Sequence, residues 1–295
     1  MVLDKFPVAS AERKIFQLKE KLSLEEINEI ENRVEYYCKI SEPKTLSHKT
    51  QIKDLLRPVT PKAYYFDAYR TARHFDANLY LDYVFGDVTE VPTAPSLVKS
   101  RPVEGANENS VLLKLNHTRH FIRVNDSLDF DDKKDLLIGR GGVFQKHRYD
   151  FFKQYFDHPL TDLRQTNTSG GNPEWIGPKV SILKHLEYKF ILSLEGNDVA
   201  SNLKWIMSSN SIAVMPKPKF ETWFMEGTLV GGKHYIEIRS DYSDLEEVLN
   251  YYLERPELCQ EIIENAKKHA AQFFQHRNEK LCQLLVLDKY FKWCS

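Results

Sequence analysis

The stretch Lys189–Asn210, KFILSLEGNDVASNLKWIMSSN, decides how this chain reads. Phe190-Ile191-Leu192 is a short apolar run with strand propensity. Gly196-Asn197-Asp198 is a turn signal. Leu203, Ile206 and Met207 then recur at helical spacing and form one apolar face. A strand, a glycine turn and a helix in that order present free backbone N–H groups and the positive end of a helix dipole. That combination binds phosphate. Lys204, on the first turns of the helix, would add a cation. Many α/β proteins carry such a turn and bind nothing there. On these residues alone Lys204 reads as an ordinary solvated helix residue.

The same alternation continues on both sides. Leu136-Leu137-Ile138 predicts a strand, and residues 144–156 a helix bearing Phe151, Phe152, Tyr155 and Phe156. Residues 165–178, rich in Thr, Asn, Gly and Pro, predict a loop, and Ile182–Leu186 a helical turn. Ser211–Met215 and His234–Ile238 predict further strands. Ser243-Asp244-Leu245-Glu246 has the form of a capping box, opening a helix that ends near Arg255; Pro256 suits the first turn of the next. Strands alternating with helices imply an α/β fold with a parallel sheet covered on both faces.

Toward the N-terminus, residues 10–40 predict two amphipathic helices, the second behind the capping box Ser23–Glu26. Residues 41–62, with Pro43, Pro58 and Pro61, predict a connection. Ala63–Phe66, Leu79–Leu81 and Ser110–Leu113 are strand candidates, and 86–109, with Pro92, Pro95 and Pro102, predicts an irregular loop. The expected division is a first domain over 1–130, a second over 131–276, and a terminal helix over 277–295.

Composition narrows the functional classes. A length of 295 residues suits about two domains, and 42% apolar residues suffice for packed cores. A net charge of −1 argues against a nucleic-acid binder, whose affinity comes largely from neutralising phosphates. The four cysteines show no Cys-x-x-Cys pair, so neither a disulfide framework nor a zinc site is expected. No apolar signal core or membrane-length run is present, which makes the cytoplasm the expected location.

The wording of several segments resembles glycosyltransferase family 90, which includes bacterial lipopolysaccharide and capsule sugar transferases and protein O-glucosyltransferases. The matching pieces are Tyr188-Lys189-Phe190, Glu195–Asp198, Leu203-Lys204-Trp205, Ser211 with its strand, Glu221–Glu226, and His234-Tyr235 leading to Asp241–Leu245. Upstream, Gly139-Arg140-Gly141 with His147-Arg148 is similar to the family's aromatic-Arg-Gly motif, with Gly139 where an aromatic residue is usual. The resemblance spans roughly Asp82 to Phe273 and is closest to the bacterial lipooligosaccharide members.

The resemblance implies a GT-B architecture, with two Rossmann-like domains facing a cleft. It also implies a UDP-sugar donor bound on the second domain and a glycan or glycolipid acceptor on the first. A departing diphosphate gains negative charge, which a metal or a helix N-terminus with Lys and Arg can stabilise. The second option fits Arg140, Gly141, Arg148, Gly196, Asn197, Asp198, Ser201, Asn202 and Lys204. The family often has an Arg two residues before the lysine; Asn202 stands there, leaving more of the charge work to Lys204, Arg140 and Arg148. An acid in the Glu221–Glu226 segment, expected to enter a helix, is implied as a ribose ligand, and either Glu221 or Glu226 fits.

No metal is expected. Asp129-Phe130-Asp131 has the form Asp-x-Asp but sits inside the solvated run DFDDKKD. Asp87, in Phe85-Gly86-Asp87-Val88 before Pro92, resembles the family's catalytic base; Asp82 is its nearest rival, and a plain Gly-Asp turn is the reading without the resemblance. A single carboxylate on the acceptor side implies inversion at the anomeric carbon. The alternative is a catalytically inactive module of the same fold that binds a nucleotide-sugar or a glycan. A glycolipid acceptor would bring the chain to the inner membrane as a peripheral protein. Lys5, Arg13, Lys14, Lys19 and Lys21 are the candidate contacts, although the interleaved acids favour a solvated helix.

Overall fold

A computed structural model describes residues 8–56 and 62–294 of the chain. Lys5, Pro58 and Pro61 lie outside the described residues. The chain forms two compact units, and the fold is mixed α/β with parallel sheets. The first unit comprises Met1–Thr118, Phe220–Met225 and Phe273–Ser295; the second comprises Arg119–Lys219 and Glu226–Gln272.

The first unit opens with α1 (Ala11–Lys19) and α2 (Leu24–Tyr37). The α2 capping box forms as its sequence demands: Ser23 Oγ accepts from Glu26 N, and Glu26 returns a bond to Ser23 N. β1 (Thr50–Gln51) precedes α3 (Lys62–Ala72). Ala63–Phe66 is therefore helical, not a strand. The aromatic run has β propensity, but Tyr64, Tyr65 and Ala68 recur on one buried face, and packing overrides propensity. β2 (Tyr80–Leu81) pairs antiparallel with β1.

β3 (Tyr83–Val84), β4 (Ser96–Val98) and β6 (Ser110–Leu112) then form a parallel sheet in the order β3-β4-β6. Between β4 and β6 lies β5 (Ser100–Pro102). The stretch 86–109 thus contains two strands where the prolines suggested only a loop. Pro95 lies just before β4, and Pro102 ends β5, positions that spare the ladder.

After α4 (His117–His120) the second unit is a five-stranded, wholly parallel sheet. Its first half is β7 (Lys134–Gly141), α5 (Lys146–Tyr155), β8 (Thr161–Gln165), α6 (Ile182–His185) and β9 (Tyr188–Leu192). α7 (Leu203–Ile206) and β10 (Ile212–Met215) follow. The segment with β11 (Phe220–Thr222) belongs to the first unit, where it pairs antiparallel with β5. This corrects the expectation of a helix entering at Glu221: only a single 3-10 turn, Glu226–Thr228, follows the strand. β12 (Ile236–Glu237), α8 (Leu245–Leu253) and α9 (Pro256–Ala271) complete the second unit, with Pro256 at the helix start as expected. The capping box expected at Ser243 does not form; Ser243 Oγ donates instead to Asp241. α10 (His276–Trp293) lies in the first unit beside α2.

The core of the second unit joins Leu137, Leu163, Phe190 and Val214 of the strands to Phe151, Phe152, Leu249 and Ile262 of the helices. Burying each such side chain contributes about 1.5–3 kcal/mol. This packing holds the strand ends, and the loops that leave them, in fixed positions.

Candidate active site

Strand order locates the site in the second unit. The sheet runs β12-β10-β9-β7-β8. From β7 the chain moves to β8 on one side, whereas β9 returns on the other side of β7. The loops leaving β7 and β9 therefore diverge, and a crevice opens at the carboxyl ends of these two strands. Such a switch point is where open α/β sheets bind ligands.

Arg148, in the first turn of α5, spans this crevice. Its Nη1 donates to Gly142 O at 2.9 Å, on the loop after β7. Its Nη2 and Nε donate to Leu194 O at 2.7 Å and Glu195 O at 2.8 Å, on the loop after β9. His147 Nε2 lies 2.8 Å from the same Glu195 O, and Gln145 Nε2 donates to Asn197 Oδ1 at 2.9 Å. Among the described residues no carboxylate pairs with Arg148. Burial accordingly holds its guanidinium below the usual arginine range, with Tyr242 acting in the opposite sense.

Two glycines flank the guanidinium. A Cβ on Gly141 would lie 3.6 Å from Arg148 Nη1, and one on Gly196 would lie 3.6 Å from Nη2. Both positions leave room for a ligand to approach the backbone and the cation together. Gly139 differs. A Cβ there would meet Leu163 at 2.7 Å and Leu192 at 3.0 Å, so these leucines fill the space beside it.

Other expected residues have partners within the chain. Arg140 donates to Asp162 Oδ1 at 2.7 Å and to Asp162 O at 2.6 Å, which makes it an ion-pair partner of β8. Asn202 Nδ2 donates to Leu192 O, and its Oδ1 accepts from Ser193, so it fastens the start of α7 to the end of β9. Asp198 is buried, and its carbonyl accepts from Gly196 N at 3.0 Å. Asn197 is exposed and Ser201 half-buried in the same turn. Lys204 is completely buried, and its ammonium lies 2.5 Å from the equally buried Glu226. The helix carrying Lys204 is only four residues long, so its dipole is small. Of the expected cations, Arg148 is the one that lacks a carboxylate.

Glu221 sits in the first unit. Its Oε1 accepts from Arg101 Nε at 2.7 Å, and its Oε2 accepts from the Tyr36 hydroxyl. Arg101 is fully buried and also donates to the carbonyls of Tyr36 and Ser110. Both residues are committed to holding β11, β5 and α2 together.

The two rival carboxylates of the first unit differ sharply. Asp82 is 1% exposed and accepts from the backbone N–H groups of Ser47, His48 and Lys49 at 2.5–3.0 Å. It braces a loop. Asp87 keeps a third of its side chain exposed (33%) while Oδ1 accepts from the buried Lys99 at 2.6 Å. Lys99 is a partner of Asp87 that the sequence did not point to; it lies 12 residues away and only the β3–β4 pairing brings it near. Asp129 and Asp131 are exposed, the first at the N-cap of a 3-10 turn and the second within it. Among the described residues no cluster of three or more His, Cys, Asp or Glu could hold a metal ion. No described helix is long and apolar enough to cross a membrane.

Fold and site define an α/β protein with a cationic crevice at the switch point of a parallel sheet. Residues 120–293 match the family model for glycosyl transferase family 90. The chain is 42% identical over 262 residues to O-glucosyltransferase LpsA of Dichelobacter nodosus, covering 89% of this chain and 82% of the relative. A 107-residue stretch is 32% identical to uncharacterized protein 179R of Invertebrate iridescent virus 6, covering 33% of this chain and 9% of that protein. The chain belongs to glycosyl transferase family 90, and it is a glycosyltransferase.

Proposed function

We propose that the chain moves glucose from UDP-glucose to a hydroxyl of a bacterial surface glycan such as lipooligosaccharide. The two units would be the acceptor and donor halves of a GT-B enzyme, working at the cytoplasmic face of the inner membrane. The choice of glucose is supported by the relative from Dichelobacter nodosus, an O-glucosyltransferase. One observation carries the donor assignment: a half-buried guanidinium with carbonyl partners alone, between two glycines, at the switch point. Its unspent charge suits a diphosphate. A cation fixed in place by its hydrogen bonds stabilises charge as it develops on the leaving group. That supports a mechanism without a metal.

Asp87 is assigned as the base. It would accept the proton of the acceptor hydroxyl while the oxygen bonds to the anomeric carbon. The bond to UDP breaks in the same step, and UDP leaves with the electron pair. One displacement inverts the anomeric centre. Asp87 suits this better than Asp82, whose oxygens are occupied by backbone donors.

The test has two arms. UDP should raise the melting temperature, because a ligand bound only by the folded chain stabilises it. Gly196→Ala should fold, since its methyl meets nothing nearer than 3.6 Å, yet lose most of that shift by blocking backbone approach. Asp87→Asn should keep the UDP shift and lose transfer by at least about 100-fold, the range for general-base assistance. An undiminished UDP shift in Gly196→Ala would move the donor elsewhere. Near-normal transfer by Asp87→Asn, or a retained anomer, would remove the base assignment.

A further inference from the structure

We propose that His117, held by Asp67, binds a hydroxyl of the acceptor saccharide at the strand ends of the first unit. The proposal rests on the glycosyltransferase reading above, with the acceptor in this unit. Three parallel strands point the same way here. The chain leaves β3 for Asp87, β4 for Lys99 and β6 for His117. An acid, a lysine and an imidazole therefore each follow a strand on the carboxyl-end side of this small sheet, the side on which parallel sheets bind ligands.

The imidazole is deliberately held. Asp67, on α3, is buried, and its Oδ1 lies 2.7 Å from His117 Nδ1. Its Oδ2 accepts from the His117 backbone N–H at 3.0 Å. The preceding residue, Asn116, has φ +52°, a left-handed conformation that turns the chain into this grip. α3 is also tied to the Asp87 segment, because the Tyr65 ring packs 5.0 Å from Phe85 and 5.4 Å from Tyr83.

The carboxylate fixes the tautomer. With Nδ1–H given to Asp67, Nε2 is the ring nitrogen left for a ligand. The His117 side chain is 41% exposed, and Nε2 has no hydrogen-bond partner among the described residues. An oriented ring nitrogen suits a hydroxyl group, which can donate to it or accept from it. The donors a glycan offers are its hydroxyl groups.

The experiment uses the full chain with UDP-glucose and a panel of methyl hexopyranosides and hexose disaccharides, read as UDP release. His117→Asn keeps an amide where Nδ1 stands, and so keeps the bond to Asp67, but removes Nε2. His117→Gln instead places an amide oxygen near the Nε2 position. For the best acceptor, His117→Asn should raise KM by about tenfold, the loss of one hydrogen bond. Its acceptor-free hydrolysis of UDP-glucose and its UDP melting shift should not change. His117→Gln should recover most of the KM.

A KM within twofold in His117→Asn overturns the proposal. So does a joint loss of KM, hydrolysis and UDP shift in both variants, which would mark a purely structural dyad. A panel that fails to speed UDP release from an unmodified chain that does hydrolyse UDP-glucose overturns the saccharide assignment. An unmodified chain that shows neither hydrolysis nor a UDP shift refutes the donor reading itself, and this proposal with it.

Discussion

Arg101 in the first unit is fully buried and Arg148 in the second half-buried, and they are satisfied in opposite ways. Arg101 meets a carboxylate, Glu221, and its remaining donors go to carbonyls. Arg33 nearby follows the same pattern. Its Nη2 lies 2.6 Å from Glu279, which also accepts from Lys114 and Trp223. Burial alone would lower Arg33, but Tyr37, Cys282 and Glu279 raise it above the ordinary arginine range. Arg148 has only carbonyls, and burial lowers it. Dipoles can satisfy its hydrogens but cannot cancel its charge. A buried cation that is balanced holds a fold together; a half-buried one left unbalanced at a strand end is ready for an anion.

Removing the balance from the first unit should produce the largest effect. Glu221→Ala leaves Arg101 buried with no counter-charge, and breaking a buried pair typically costs about 3–5 kcal/mol. Urea unfolding should show that loss whether or not UDP is present. A cost below about 1 kcal/mol would mean that Arg101 finds water or another partner, and the contrast with Arg148 would weaken.

Arg148→Met should act on binding. The variant should fold with a modest loss, because the freed carbonyls border the crevice and can turn to water. UDP affinity should fall at least about tenfold, since charge-assisted hydrogen bonds contribute about 1.5–3 kcal/mol. Calorimetric titration gives the number. Unchanged affinity would make Arg148 a loop brace, no different in kind from Arg101. The glycines sharpen the point. Gly139→Ala should cost about 1–3 kcal/mol by crowding Leu163 and Leu192. Gly141→Ala should cost little stability and instead weaken UDP.

Much of the second unit was legible because β7, β9 and β10 are apolar runs and α5 has a helical apolar face. β8 was not. Its residues, Thr161-Asp162-Leu163-Arg164-Gln165, offer one buried aliphatic and four polar side chains, and it forms because β7 supplies its hydrogen bonds. The glycine turn after β9 was readable as a phosphate-type turn, whereas the strand order that makes it a switch point is a tertiary fact. Charge balance was also hidden. Lys204 and Glu226 are 22 residues apart, and Arg140 and Asp162 likewise, so nothing local distinguished these paired cations from Arg148. The resemblance brought all of them into one group; only the fold separated those that are neutralised.

Acid should separate the two kinds of arginine most subtly. Asp162 is partly buried, which alone would raise its pKa. Hydrogen bonds from Tyr188 and Arg140, with the Arg140 charge, outweigh this and leave it below the ordinary aspartate value. A carboxyl group whose pKa is lowered on folding stabilises the native state above its unfolded pKa of about 3.9. That contribution disappears as pH falls through the lower folded value, where the folded chain also takes up the proton. Asp162→Asn should therefore be less stable than the unmodified chain at neutral pH, and the gap should narrow as pH drops below about 3.9. The gap left by Arg148→Met should stay flat over the same interval, because no carboxylate is paired with that guanidinium. Urea midpoints measured for the three proteins across the acid range would decide it. A gap that narrows equally in both variants would mean that an acid also compensates Arg148, and the distinction between the balanced and the unbalanced arginine would fall.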